Sequence, residues 1–168
     1  MSGKEGRRLT PTDISSHLAC NHLTQLNRQL NDGTLRVNLP PDPRLEALII
    51  RGLEHEARYV TRLVELGHSI TRLGDTRDPA KTLAAMQSGA QVIVQAPLGN
   101  DTYFGIADLL LRVDTPCSVL GDYSYIPADT KIAENTKAGT ILQLCTYTLM
   151  LEEMQGLRPQ SFSVITQH

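Results

Sequence analysis

Asp129 and Lys131 stand two residues apart in IPADTKIA, residues 126–133, among mostly apolar neighbours. In an extended strand, positions i and i+2 share a face. Two opposite charges so placed are more often a surface ion pair, worth about 0–1 kcal/mol. The same spacing also supplies a carboxylate ligand and a neighbouring ammonium, half of a metal-dependent hydrolytic site. Three further places hold polar groups against an apolar background. Asp108 lies within GIADLLLRV. A carboxylate is seldom fully buried without a partner, although strand alternation equally lets Asp108 point outward. His55 and Glu56 lie in RGLEHE, at the flank of a helical apolar stripe, where a lone histidine is more often packed or solvated than a ligand. Gln143 and Tyr147 are four residues apart and share a helix face, which is usually just solvated.

Each signal is weak alone, and their order along the chain is the stronger one. A hard divalent cation such as Mg²⁺ takes one or two carboxylates plus water and substrate phosphate. Such ions stabilise the attacking and leaving oxygens of an in-line phosphodiester displacement. A lysine beside them orients the attacking water, helps deprotonate it, or offsets charge in the transition state. Other chemistries fail on spacing. GDTRDPAKT ends in Lys81-Thr82, but Ala80 stands where a phosphate-binding loop needs glycine. No GxGxxG, HExxH or GxSxG occurs, and Cys145 has no nearby histidine and sits among expected core positions of a helix.

The elements that must position these residues can be read from caps, turns and periodicity. Residues 1–11 read as a mobile tail. Thr12 and Asp13 start a helical stretch ending at Asp32-Gly33, with a break near Cys20 and Asn21. Asp42-Pro43 opens a helix to about residue 66, with Leu45, Leu48, Ile49, Leu53, Val60 and Leu63 on its expected core side. HSITRL reads as a short strand, and Asp78-Pro79 opens another helix. QVIVQAPL and YFGIADLLLRV read as strands flanking the hairpin signal GND. DYSYIPADTKIA is a third strand, with Pro127 marking an edge or bulge. A helix over about 138–155, closed by Gly156, and the strand SFSVIT follow.

With 168 residues, the chain is expected to form one domain with a genuine core. An apolar content of 40% and a net charge of -2 exclude a disordered chain and a blanket basic surface. No run reaches the roughly 18 apolar residues of a membrane span, and the basic N-terminus lacks the apolar segment of a signal peptide. Three scattered cysteines form neither a zinc signature nor a disulfide framework. A cytoplasmic location is the natural expectation.

The chain resembles the RecB-like nuclease family of the PD-(D/E)xK, restriction-endonuclease-like superfamily. The resemblance rests on DISSHLACNHLTQLNR, GLEHE, GIADLLLRV, DTK and LQLCTYTLMLEEMQG in that order, and covers nearly everything after residue 12. It implies an α/β (α+β) fold: a central mixed sheet flanked by helices, in the order α-β-β-β-α-β with extra N-terminal helices. It implies Mg²⁺- or Mn²⁺-dependent cleavage of DNA in repair, recombination or defence, with a helicase or other repair factor as partner. It assigns metal binding to His55 (or Glu56), Asp108 and Asp129, and catalysis to Lys131 together with the two aspartates. Gln143 and Tyr147 match the helix motif that shapes the site and contacts DNA. Cys20 matches the early cysteine of an iron–sulfur cluster, but nothing after Cys145 supplies the remaining ligands, so no complete cluster is expected. The chain ends just after the last core strand, where relatives continue, and is read as trimmed there. A catalytically silent nucleic-acid-binding or scaffolding module is the alternative.

Overall fold

Thr10, ahead of the expected Thr12 and Asp13, caps the first helix, α1 (Pro11–Ala19), of the computed structural model, which describes residues 7–38, 40–133 and 135–167. The Thr10 hydroxyl accepts from the Asp13 amide, and the Asp13 carboxylate accepts from the Thr10 amide, so two orphan donors are satisfied reciprocally. Within the expected tail, the described residues are tied to the β2–β3 turn and β3 through Leu9. Leu9 donates its amide to Thr102 at 2.8 Å and accepts from the Phe104 amide at 3.0 Å. Residues 1–6 lie outside the described residues.

The break read at Cys20 separates α1 from α2 (Asn21–Asn31). Asp42 caps α3 (Pro43–Glu65), accepting from the Arg44 amide. After β1 (Ile70–Arg72), Asp78 caps α4 (Pro79–Gln87) in the same way. Then come β2 (Val92–Gly99), β3 (Phe104–Val113) and β4 (Ser124–Thr130). Asn100 closes the β2–β3 turn, its side-chain oxygen accepting from the amides of Thr102 and Tyr103. α5 (Ala138–Gln155) ends at Gly156, whose φ of +64° suits a residue without a Cβ. β5 (Ser163–Ile165) completes a five-stranded sheet in the order β1-β2-β3-β4-β5.

The sheet is mixed, and helices flank it, so the chain is α+β. β2, β3 and β4 form an antiparallel meander, while β1 and β5 add in parallel at its two sides. Each parallel addition needs a crossover, provided by α4 and α5 respectively. Pro127 is thus in an interior strand, not at an edge. β5 pairs only with Ala128–Thr130, so β4 has one neighbour at Pro127 and the missing N–H leaves no ladder bond unmade.

Two apolar layers hold the sheet. Val60 and Leu63 of α3 pack with Val92, Val94, Leu109 and Ala128 on one side. Ala85 and Met86 of α4, with Leu144, Tyr147, Met150 and Leu151 of α5, pack on the other. The apolar stripe expected to bury α3 does so only in its C-terminal half. Leu45, Leu48, Ile49 and Leu53 are half or more exposed, because no described element covers the first turns. Cys145, expected in the core, is also exposed, as are Cys20 and Cys117. No described helix is long and apolar enough to cross a membrane.

Candidate functional site

The site forms where the alternation of β2 and β3 fails. Val94 and Leu109 pack toward α3, whereas Ala96 and Ala107 pack with α5. Residues two apart normally share a face, so both strands switch sides between these positions. The residues at the switch are Gln95 and Asp108, and the β2–β3 ladder skips that pair while keeping its register on either side. Gln95 takes a φ of +54°, uncommon for a residue with a side chain. Such a conformation costs roughly 1–2 kcal/mol. It turns the Gln95 amide toward α3, where Nε2 donates to Glu56 Oε1 at 2.9 Å.

The β3–β4 ladder ends beside the switch, at Leu109↔Ala128. Asp108 and Asp129 follow immediately and occupy the notch where the strands part. Asp108 Oδ2 reaches across it and accepts the Thr130 amide at 3.2 Å. Asp129 is 1% exposed. Lys131, one residue past β4, donates from Nζ to Asp129 Oδ1 at 3.0 Å and lies 2.8 Å from Oδ2. The second contact is an ion pair without hydrogen-bond geometry, so the buried Oδ2 is met by the charge of the ammonium.

Electrostatics follow from that crowding. Burial, then the hydrogen bond and charge of Asp129, with a smaller push from Glu56, raise the Asp108 pKa from 3.8 to about 7. The Thr130 amide pulls the other way and loses. Tyr147, on α5, is pushed up to about 12 mainly by burial; Gln143 opposes this and the two aspartates add to it. Its hydroxyl donates to the Ile106 carbonyl at 2.6 Å and accepts from Gln143 Nε2 at 3.4 Å. Tyr147 therefore walls the notch from the α5 side while Gln143 braces it.

The expected residues are thus brought together unequally. Asp108, Asp129 and Lys131 meet, and Glu56 faces them through its charge while its carboxylate is held by Gln95. His55 is buried and turned to β5, where Nε2 lies 3.2 Å from the Ile165 carbonyl. A carbonyl only accepts, so Nε2 carries a proton. A ligating histidine commonly makes such a bond with its other nitrogen. No group of three His, Cys, Asp or Glu side chains among the described residues is arranged to hold an ion. Cys20 lies between α1 and α2, Cys117 in the β3–β4 connection and Cys145 on α5, and all three are free.

An open groove of about 510 Å³ lies between α3 and β5, lined by His55, Arg58, Tyr59 and Arg62 on one wall and Ile165 and Thr166 on the other. Gln95 was missed in the sequence reading, although it is the lone amide in the apolar run VIVQAPL. The Ile165 carbonyl was missed as well. It accepts both His55 and the Lys131 amide, the latter at 2.8 Å, and no sequence signal marks a backbone acceptor. Comparison with models of known protein families, with curated proteins and with solved structures finds no match.

Proposed function

We propose that the chain is a metal-dependent nuclease of restriction-endonuclease-like fold, hydrolysing phosphodiester bonds in DNA. One observation carries the reading: the buried Asp129 carboxylate faces a second, partly buried carboxylate, Asp108, and is paired with the partly exposed ammonium of Lys131. Two crowded carboxylates, of which Asp129 alone is ion-paired, suit a hard cation with oxygen ligands. Asp108 and Asp129 would hold Mg²⁺ or Mn²⁺, with Glu56, whose charge reaches Asp108, as a further carboxylate. When bound, such an ion would supply Lewis-acid stabilisation of the negative charge that builds on the phosphoryl oxygens.

The chain's own groups do the rest. In hydrolysis a water oxygen bonds to phosphorus and gives up a proton to solvent, one P–O ester bond breaks, and the departing oxygen takes up a proton from solvent. Lys131, held beside Asp129 but a third exposed, donates to a phosphoryl oxygen as negative charge builds there. Tyr147 and Gln143 exclude water from the α5 side. Gln95 keeps Glu56 aimed at the notch.

The second reading, a silent nucleic-acid-binding module, draws on the ion pair that already occupies Asp129 and on the lack of a third gathered ligand. Incubation with labelled single- and double-stranded DNA, with Mn²⁺ or with EDTA, separates the two. The parent should cut only with Mn²⁺. Lys131→Met should cut about 10²–10⁴-fold more slowly while still binding Mn²⁺. Asp129→Asn should lose both cutting and Mn²⁺ affinity, since it removes a charged ligand. Equal cutting by parent and Lys131→Met would remove the lysine from the chemistry, and no cutting by the parent would leave the silent module.

A further inference from the structure

The flank of α3 beside β5 carries a stripe of arginines that the hydrolytic chemistry does not use. Arg44, Arg51, Arg58 and Arg62 are all exposed. At about 100° per residue they fall within roughly 40° of one another, along about 27 Å of helix. None of the described ion pairs involves them. α3 also carries Glu46, Glu54, Glu56 and Glu65, so the helix as a whole is formally neutral, but only Glu54 and Glu65 flank the stripe and positive charge is concentrated on its side. Four unpaired guanidiniums in a row on a chain of net charge -2 are a local polyanion footprint.

The stripe runs into the α3–β5 groove. Arg58 and Arg62 line it beside the half-buried ring of Tyr59, opposite Thr166 and Gln167. A basic track combined with an aromatic ring is the arrangement that grips single strands, by phosphate contact and base stacking. The groove also adjoins the acidic notch. Its β5 wall pairs with β4, Val164 against Asp129 and Ile165 against Thr130. The Ile165 carbonyl ties the groove's His55 to the Lys131 backbone.

We propose that this groove and arginine stripe bind the sugar–phosphate backbone of single-stranded DNA and lead it to the Asp108–Asp129–Lys131 notch. The destination rests on the nuclease reading; the binding does not. Four phosphate contacts on a single strand give a log–log salt slope of about -3, at roughly 0.7 per phosphate.

The test is fluorescence anisotropy with a labelled oligothymidylate in EDTA, across a series of KCl concentrations, with a duplex of equal length alongside. Arg58→Gln/Arg62→Gln should bind about tenfold more weakly, with the slope flattened by about 1.4. Arg28→Gln/Arg36→Gln removes the same charge from α2 and the segment after it, and should bind as the parent does. Melting curves check that both variants fold. Equal weakening in the two variants would reduce the effect to net charge and overturn the inference. So would tighter binding of the duplex, or a parent that binds neither DNA. Cleavage in Mn²⁺ is scored separately. A parent that binds through the stripe yet never cuts keeps the track and removes the nuclease. A parent that cuts while both variants bind equally does the reverse.

Discussion

Asp108 is held protonated by its surroundings at pH values where a free aspartate is ionised, and this has a measurable sign. Its pKa of about 7 reflects burial first and Asp129 second, whereas the unfolded chain ionises it near 3.9. Between about pH 4 and pH 7 the folded state therefore binds a proton that the unfolded state has lost. The associated stability is fully present below pH 4 and is lost as pH rises through 7. Asp108→Asn removes this titration. The Tm of the parent minus that of Asp108→Asn should fall from pH 4.5 to pH 8; a flat difference would mean that Asp108 is not strained by its neighbour. Mn²⁺ should raise the parent's Tm more at pH 8 than at pH 5.5, because an ion must displace the same proton.

At the scale of elements, what matters is how closely α5 and α1 approach β3. A Cβ on Gly105 would stand 2.9 Å from both the Tyr147 ring and the Pro11 ring, and Tyr147 cannot retreat without losing its bond to the Ile106 carbonyl. Gly105→Ala should cost about 1–3 kcal/mol by overpacking, each kcal/mol being roughly 2–4 °C of Tm in a chain of this size. An unchanged Tm would show that the two helices yield. Local chemistry made many elements legible in advance: Asp42-Pro43 and Asp78-Pro79 name two helix starts, and GND names a turn. The placement of Asp108 beside Asp129 followed only from pairing two strands correctly. The switch at Gln95 was not legible, because a polar residue in an apolar run does not announce that its backbone will leave the strand region. Cys145 misled for a related reason. α5 is apolar nearly all round, so its periodicity does not say which side is covered.

For the whole molecule, the two faces of the sheet are unequally protected. α4 and α5 cover one, while only the second half of α3 serves the other, leaving Leu45, Leu48, Ile49, Ile50 and Leu53 at 50–61% exposure. Periodicity identifies which residues share a helix face, not what lies against it, so Leu45, Leu48, Ile49 and Leu53 read as core. Leu45→Gln/Leu53→Gln should leave the Tm nearly unchanged, within about 0.5 kcal/mol per site, whereas Leu63→Ala should cost about 2–5 kcal/mol. A large loss in the first variant would mean that α3 is covered in solution. The Ile165 carbonyl has a mechanical consequence. Both its lone pairs are engaged, one by the His55 ring and one by the Lys131 amide, so a strand of three residues acts as a shared fulcrum. A tilt of α3 under load on its arginine flank would be geared through β5 to the lysine, linking grip on the long helix to the pitch of the ammonium over the notch.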